Sequence, residues 1–298
     1  MLYEAFLTYL QCELNYSVHT VVSYRRDIDS WRRFAREHDI CDDPALIDVN
    51  ALRLWFADMA ARGLAPRSIR RRLQAMRAFY AFLMRRRGFT TNPAADIAVA
   101  RIPHRLPDTI RPEEVARVID MPIETDDISQ VQQRLIIDML YSTGMRASEM
   151  VALRDSDVDT RAGRLKVMGK RSKERIIPFG PELARLIDQY RGMRDARRDA
   201  PPDAFFLTPS GKPVYYSYVY KVVHQALDGA VKAAHRSPHV LRHSFATDML
   251  NNGADITAVQ HLLGHESLAT TQIYTHLTYS ELQHNYQLAH PRAQKKGG

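Results

Sequence analysis

Cysteine is scarce in this chain of 298 residues, which contains only Cys12 and Cys41. The two lie far apart and show no metal-type spacing, so the sequence predicts neither a disulfide framework nor a zinc ribbon. We expect both cysteines to be ordinary helix-packing residues of a protein in a reducing compartment.

Long apolar stretches are missing as well, because no segment approaches the length that crosses a bilayer. The first residues carry no basic leader, so we expect a cytoplasmic protein without a membrane contact. Hydrophobic residues nevertheless make up 45% of the chain, which is enough for real cores. The formal net charge of +8 favours a polyanionic partner such as nucleic acid, although a basic surface also serves solubility.

Three familiar catalytic patterns are absent from the sequence. There is no Gly-x-Ser-x-Gly elbow for a serine hydrolase and no glycine-rich loop to cradle a nucleoside triphosphate. His239 and His243 have the spacing of a zinc-protease pair, but no glutamate follows His239 and no third ligand is evident. We therefore predict no metal site and no cofactor.

Residues 1–90 have the apolar spacing of helices in series, with no convincing strand. The fourth helix is expected to begin at Ser68 as its N-cap. Between Arg62 and Arg87 lie nine arginines and no acidic residue. This helix face could simply be solvated. The positive charges of an acid-free run this dense repel one another, however, which favours a surface that faces phosphates. The arginines of this segment predicted to contact DNA are Arg67, Arg70, Arg71, Arg72 and Arg77.

Residues 91–107 contain three prolines and no strong period, which predicts an interdomain linker. A second domain is predicted over residues 108–298. Its first helix should begin at Pro112, with Glu113 and Glu114 in the first turn, where the helix dipole favours acids.

The second domain is predicted to contain one small β element among helices. A helix, a turn at Gly144 and another helix come first. Residues 164–179 then alternate apolar and polar side chains on both sides of a charged centre, which is typical of a β-hairpin. The predicted fold class is therefore mainly α, with a small β-hairpin or sheet in the C-terminal domain.

Residues 237–277 concentrate side chains that suit chemistry on a phosphate. His239 and Arg242 are three positions apart, so on a helix they share a face. His265 follows a glycine at a turn, and Tyr274 lies nine residues beyond it. Taken singly, each has a bland explanation, because a lone histidine is usually structural and a lone tyrosine usually packs its ring. The apolar stripe expected to be core consists of Phe245, Met249, Ile256, Val259, Leu262 and Leu263.

Attack on a phosphodiester is the chemistry that two arginines, two histidines, a lysine and a tyrosine suit together. Arginine forks match the non-bridging oxygens, and without a metal such cations must stabilise the transition state themselves. Attack by tyrosine conserves the bond energy in a phosphotyrosine link, so resealing needs no external energy source. The leaving 5′-oxygen needs a proton, which a lysine on a hairpin can deliver.

Five segments resemble the tyrosine recombinases, also called the phage integrase family. They are TGMRASE around Arg146, MGKRSKER, HVLRH, LLGH and IYTH, and the resemblance spans most of residues 108–290. It implies that Arg146 is the first catalytic arginine and that His239 and Arg242 are the paired histidine and second arginine. Glu149 resembles a supporting acid that orients the site.

The same resemblance assigns the remaining catalytic roles. Lys170 falls on the hairpin where the family keeps its general acid, although Arg171 stands where many relatives have glycine, which leaves Lys173 as an alternative. Arg171 could also add a DNA contact. His265 resembles the second histidine, which helps to hold the phosphate or assists proton transfer. Tyr274 resembles the nucleophile that forms the 3′-phosphotyrosine.

The compact layout and the ending QLAHPRAQKK resemble the Xer recombinases, in particular the XerC branch. This likeness implies a SAM-like core-binding domain that clamps double-stranded DNA together with the catalytic domain. It implies resolution of chromosome dimers at a dif-type site, for chromosome segregation at cell division. The implied partners are a second recombinase protomer such as a XerD-like paralogue in a tetrameric synapse, with a subunit contact at residues 281–292, and a DNA translocase as activator.

Three other functions remain open at this point. A phage or transposon integrase would use the same residues on different DNA. A tyrosine topoisomerase would act as a monomer, whereas a recombinase assembles on paired sites. A non-catalytic DNA-binding regulator could share the scaffold, but the presence of every expected catalytic side chain argues against it.

Overall fold

The computed structural model describes residues 2–99, 109–169, 174–196, 203–233, 236–264 and 278–293. The chain divides into two compact units, Met1–Arg105 and Leu106–Gly298. Helices dominate both units of the described chain, and the second also contains a small antiparallel sheet, as the sequence predicts. No helix in these ranges combines the length and the apolarity that a membrane crossing requires.

The first unit is a set of helices around an aromatic core. The helices are α1 (Leu2–Cys12), α2 (Val18–Glu37), α3 (Val49–Ala61) and α4 (Pro66–Arg87). Trp31 and Trp55 are buried with ring centroids 5.5 Å apart, and Phe6 contacts Phe79 at 5.4 Å. Burial of these large rings is what holds the four helices together, because each ring removes a large apolar area from water.

Two local predictions for the first unit are wrong. Helix α4 begins at Pro66 rather than after Ser68, because proline has a helical φ and needs no hydrogen bond at the first helical position. Cys12 and Cys41 are both exposed rather than packed between helices. Cys12 is the last residue of α1, and the buried face of that helix ends at Leu10.

Helix α6 (Ile128–Thr143) lies at the centre of the second unit, and most of its side chains are buried. The other helices are α5 (Pro112–Ile119), α7 (Ala147–Val151), α8 (Pro181–Asp195), α9 (Tyr216–Leu227), α10 (Pro238–Asn251), α11 (Ile256–Leu263) and α12 (Tyr279–Ala289). Helices α5, α8, α9 and α10 all pack on α6. The predicted start at Pro112 is confirmed.

The sheet has the strand order β1-β2-β3, and both pairs of strands are antiparallel. The strands are β1 (Val158–Asp159), β2 (Arg164–Met168) and β3 (Glu174–Pro178). Strands β2 and β3 confirm the predicted hairpin, and residues 170–173 between them lie outside the described residues. Cross-strand pairs Leu165–Ile177 and Val167–Arg175 form the buried face.

The apolar stripe of α10 and α11 is confirmed except at Ile256. Phe245, Met249, Val259, Leu262 and Leu263 are buried, whereas Ile256 is 58% exposed. Ile256 is the first residue of α11, and this helix buries its side chains only from the third residue onward. The expectation that Ile256 belongs to the core is therefore wrong.

Helix α12 packs on α10, α11 and β3 of its own unit. Tyr286 and His290 are buried, with their rings stacked at 4.9 Å. Arg292 is buried as well and forms ion pairs with Asp138 at 3.0 Å and Asp120 at 3.0 Å. Because these side chains are used inside the unit, a subunit contact through residues 281–292 stays a prediction.

Candidate active site

The turn between α6 and α7 builds the first part of the site. Gly144 ends α6 in the left-handed region, with φ of 60°, and a side chain there would collide with the ring of Phe245. Arg146 then caps α7, and Glu149 at the third helical position accepts the Arg146 backbone N–H at 2.7 Å. This capping arrangement places the Arg146 guanidinium on the same carboxylate, with Nη1 2.8 Å from Oε1.

A second arginine, Arg175 on β3, also binds Glu149. Arg175 donates from Nη1 to Oε1 and from Nη2 to Oε2, both at 2.8 Å, and both side chains are almost fully buried. Burial raises the pKa of Glu149, but the hydrogen bonds and charges of Arg175 and Arg146 outweigh it and hold the pKa below its usual value. The carboxylate is therefore ionised at neutral pH.

Helix α10 supplies the next pair, His239 and Arg242. Arg242 is buried and donates to the carbonyls of Gly144 at 2.6 Å and Leu263 at 2.5 Å. Burial and the charge of Arg146 lower the pKa of Arg242 to about 9, so the guanidinium remains charged at neutral pH. Desolvation and the nearby charge of Arg242 lower the pKa of His239, which favours a neutral imidazole there.

All three arginines bind the C-terminal end of α11. Three consecutive carbonyls each accept a hydrogen bond from a different guanidinium. The bonds are Arg175 Nε to Leu262 O at 2.7 Å, Arg242 Nη2 to Leu263 O at 2.5 Å, and Arg146 Nη2 to Gly264 O at 3.2 Å. The last carbonyls of a helix have no partner within the helix and lie at the negative end of its dipole, so they are natural acceptors for cations.

The cluster carries more positive than negative charge. Among the described residues it contains three guanidinium groups and one carboxylate, that of Glu149, which pairs with Arg146 and Arg175. Two positive charges are therefore in excess. Such an excess, held by backbone carbonyls rather than by further acids, favours binding of an anion. A phosphate diester fits because arginine donates two parallel bonds to such oxygens.

Four predicted catalytic residues lie in the described part of the chain and come together there: Arg146, Glu149, His239 and Arg242. The others lie outside the described residues, namely Lys170 with its alternative Lys173, Arg171, His265 and Tyr274.

The sequence interpretation missed Arg175. The signal was present, because the alternation of β3 places Arg175 on the same inward face as Ile177 and opposite Val167. A charged residue at an inward position of a strand needs a buried partner, and here the partner is Glu149.

The α4 arginines predicted to contact DNA lie in different surroundings. Arg67 and Arg70 are exposed on the helix surface. Arg71 and Arg72 both reach the buried carboxylate of Asp27, at 2.5 Å and 3.6 Å. Asp27 therefore fixes two of these guanidinium groups and offsets part of their charge.

Arg77 makes a different set of contacts. Its guanidinium donates to the backbone carbonyls of Ala94, Ala95 and Ile97 at 2.8 to 3.0 Å. These bonds tie the segment after α4 back onto the helix, so Arg77 has a structural use of its own. A DNA contact by Arg77 stays a prediction.

Comparisons with known proteins bear on the whole chain. Residues 108–281 match the model of the phage integrase family, and residues 3–87 match the phage integrase N-terminal SAM-like domain. The tyrosine recombinase XerC of Xanthomonas axonopodis pv. citri is 36% identical over 303 residues, which covers 98% of this chain and 97% of the relative. The chain belongs to the phage integrase family.

Further family members agree with this placement. XerC of Halalkalibacterium halodurans is also 36% identical, over 97% of each chain. The XerH recombinase in its post-cleavage complex with a palindromic difH substrate shares the fold, with a TM-score of 0.71 at 21% identity over 92% of this chain and 81% of that one. The family member described here is a Xer-type site-specific DNA recombinase, and the family resemblance and fold class predicted from the sequence are confirmed.

Proposed function

We propose that this recombinase resolves chromosome dimers at a dif-type site, with Tyr274 as the nucleophile of a 3′-phosphotyrosine intermediate. The observation that carries the proposal is the convergence of Arg146 and Arg242 on the end of α11. The two arginines are 96 positions apart in the chain, yet they bind the adjacent carbonyls of Gly264 and Leu263. The next residue in sequence is His265.

The proposed reaction is a transesterification. The Tyr274 hydroxyl gives its proton to a neutral base of the site, for which His239 is available, and its oxygen forms a bond to phosphorus. The bond from phosphorus to the 5′-oxygen breaks, and Lys170 gives that oxygen a proton. Arg146 and Arg242 stabilise the negative charge that builds on the non-bridging oxygens. Resealing reverses these steps on the partner strand, so the number of phosphodiester bonds is unchanged.

The histidines complete the proposed set. His239, with its lowered pKa, is neutral at neutral pH and can accept or share a proton beside Arg242. His265 is assigned to holding the phosphate or assisting proton transfer. Glu149 holds the Arg146 guanidinium in place.

DNA contacts are proposed for the first domain. Residues 1–90 are proposed as the core-binding domain, residues 108–298 as the catalytic domain, and both domains as contacting the duplex. Residues 91–107 are the proposed linker, of which Ala94 and Ile97 pack in the core of the first unit. Exposed Arg67 and Arg70 are the best supported phosphate contacts, because no acid lies within α4 to offset them. Arg71, Arg72, Arg77 and Arg171 are further proposed contacts.

The number of proposed protomers follows from the reaction. Exchange of strands between two sites needs four protomers, so we propose a tetrameric synapse with a second recombinase such as a XerD-like paralogue. A DNA translocase is proposed as the activator. A chromosomal substrate places the activity in the cytoplasm. The XerH complex, which contains a difH substrate, supports a dif-type target.

The test is capture of the covalent adduct on a nicked suicide substrate carrying a dif-type site. Wild type and Tyr279→Phe, a matched change five residues further on, should both accumulate adduct, and the modified peptide should contain Tyr274. Tyr274→Phe should bind the same DNA without forming adduct, because the attacking hydroxyl is gone. An adduct in Tyr274→Phe would overturn the nucleophile assignment, and no adduct in wild type would overturn the dif-type target.

A further inference from the structure

Arg175 is the buried cation of the site to which the catalytic scheme gives no role. Its side chain is 6% exposed, and the Nε and both Nη atoms bind groups of the same unit. It stands on β3, two positions after residues 170–173, among which the scheme places the general acid. A guanidinium enclosed in this way cannot be a simple surface contact for DNA.

One side of Arg175 acts on Glu149. The two bonds of 2.8 Å leave each carboxylate oxygen bound to one Nη atom of Arg175. The same two oxygens hold Arg146, one through its guanidinium and the other through its backbone N–H. The orientation of Arg146 therefore depends on a carboxylate whose own orientation depends on Arg175.

The other side of Arg175 acts on the end of α11. Nε donates to Leu262 O at 2.7 Å, and the Arg175 side chain lies close to Gly264. A Cβ at residue 264 would lie 3.1 Å from Nη1 and 3.3 Å from Cδ and Cζ. Gly264 also has φ of 63°, which favours glycine for a second reason. Arg175 thus packs against the residue that directly precedes His265.

We propose that Arg175 is a positioning residue for DNA cleavage. It fixes the orientation of Glu149 relative to β3 and the end of α11, and Glu149 in turn fixes the orientation of Arg146. The inference rests on the proposed function, because the positioned groups are those that would bind the scissile phosphate. Arg175 itself does not touch the DNA.

The energetics favour positioning over simple stabilisation. A buried ion pair contributes little net stability, because desolvation of both charges offsets their attraction. Its geometry is nevertheless strict, since a planar fork bound at both oxygens fixes direction as well as distance. Lysine keeps the charge but offers a single nitrogen, so it cannot replace both bonds.

The experiment measures adduct formation and DNA affinity for Arg175→Lys, Arg175→Gln, Glu149→Gln and the double variant Arg175→Gln/Glu149→Gln. The matched control is Arg194→Gln, which removes another buried arginine bound to carboxylates and a carbonyl in the same unit. Thermal unfolding of each variant reports any general loss of structure.

Both Arg175 variants should lose about 100-fold in cleavage rate while DNA affinity changes less than about threefold, because the defect is a misplaced Arg146 and not a missing bond to DNA. The double variant should cleave no more slowly than the slower single variant, since Arg175 acts through Glu149. Arg194→Gln, compared at equal folded fraction, should cleave at the wild-type rate. Wild-type cleavage in Arg175→Gln, or losses that multiply in the double variant, would overturn the inference.

A pH profile separates positioning from a structural role. In Arg175→Gln the buried Glu149 keeps Arg146 and Arg242 nearby but loses its bidentate partner, so its pKa rises. Cleavage by this variant should therefore fall more steeply than cleavage by wild type as the pH decreases toward 5. A profile parallel to wild type would contradict the proposed route through Glu149. Failure of wild type to form adduct would instead remove the proposed function.

Discussion

The two units bury different kinds of side chain. Among residues 2–99, Asp27 is the only buried polar or charged residue, and the core is otherwise apolar and rich in aromatic rings. In the second unit, buried acids and arginines run through the core. Those charged side chains are Glu114, Asp138, Glu149, Arg175, Arg194, Arg242, Asp248 and Arg292.

The difference matches the tasks proposed for the two units. A domain that contacts phosphates through its surface can keep its interior apolar and place arginines outside, as α4 does with Arg67 and Arg70. A domain that stabilises a reacting phosphate must hold its cations in fixed directions, away from bulk water. That demand brings charge into the interior, and each buried charge then needs a partner.

The largest expected effect is on the apolar core of the first unit. Trp31→Ala should lower its free energy of unfolding by about 3–5 kcal/mol, because Trp31 is fully buried against Trp55. Calorimetry should show this loss in one transition, while a transition assigned to the second unit stays in place. A change of less than about 1 kcal/mol would mean that the aromatic core does not hold this unit together.

Arg242→Ala should reduce cleavage about 10³-fold, because it removes a buried guanidinium proposed to stabilise the transition state. DNA affinity should fall far less, since binding is spread over many phosphate contacts. Single-turnover rates on the suicide substrate and binding by fluorescence anisotropy measure the two quantities. Equal losses in both would contradict the division of tasks between the units.

Asp248→Asn should stabilise the second unit by about 1–3 kcal/mol at pH 8. Burial raises the pKa of Asp248 to about 6, although its carboxylate accepts a 2.7 Å hydrogen bond from Tyr141. Because the folded pKa is raised, ionisation costs stability fully above pH 6 and not at all below the unfolded pKa near 4. The gain should therefore disappear on acidification.

Denaturant unfolding at pH 8 and pH 4 tests this sign. Asp188→Asn, an exposed change on α8 of the same unit, is the control and should have little effect at either pH. A gain for Asp248→Asn that persists at pH 4 would show that charge burial is not its cause.

The smallest expected effect concerns the exposed arginines of the first unit. Replacing Arg67 and Arg70 with glutamine should weaken DNA binding similarly for all sequences and reduce the salt slope by about one for each phosphate that is no longer neutralised. Cleavage of bound DNA should be unchanged. An unchanged salt slope would mean that Arg67 and Arg70 are only solvated and do not contact phosphates.

Local rules predicted much of the molecule. Pro112, Gly144 and the alternation around the hairpin each carry their structural signal within a few residues, and all three predictions are confirmed. His239 and Arg242 share α10 as their spacing indicates. The five segments that resemble the phage integrase family made the fold class predictable.

What could not be predicted depends on contacts between distant segments. Arg175 and Glu149 are 26 positions apart, and the Leu262 carbonyl bound by Arg175 is 87 positions further on. Helical periodicity placed Ile256 in the core, but its exposure depends on where α11 begins relative to its neighbours. Asp27 likewise binds Arg71 from 44 positions away, which no helix pattern indicates.

The ion pair between Asp138 and Arg292 has a consequence for synthesis of the chain. The first unit completes its apolar core by Ile97, whereas the buried Asp138 waits for a cation that is made 154 positions later. A ribosome adds about 5–20 residues per second, so the first unit has several seconds in which to fold before the second can close. In a nascent chain the basic helix α4, which we propose to contact DNA, can therefore fold well before the catalytic unit is complete.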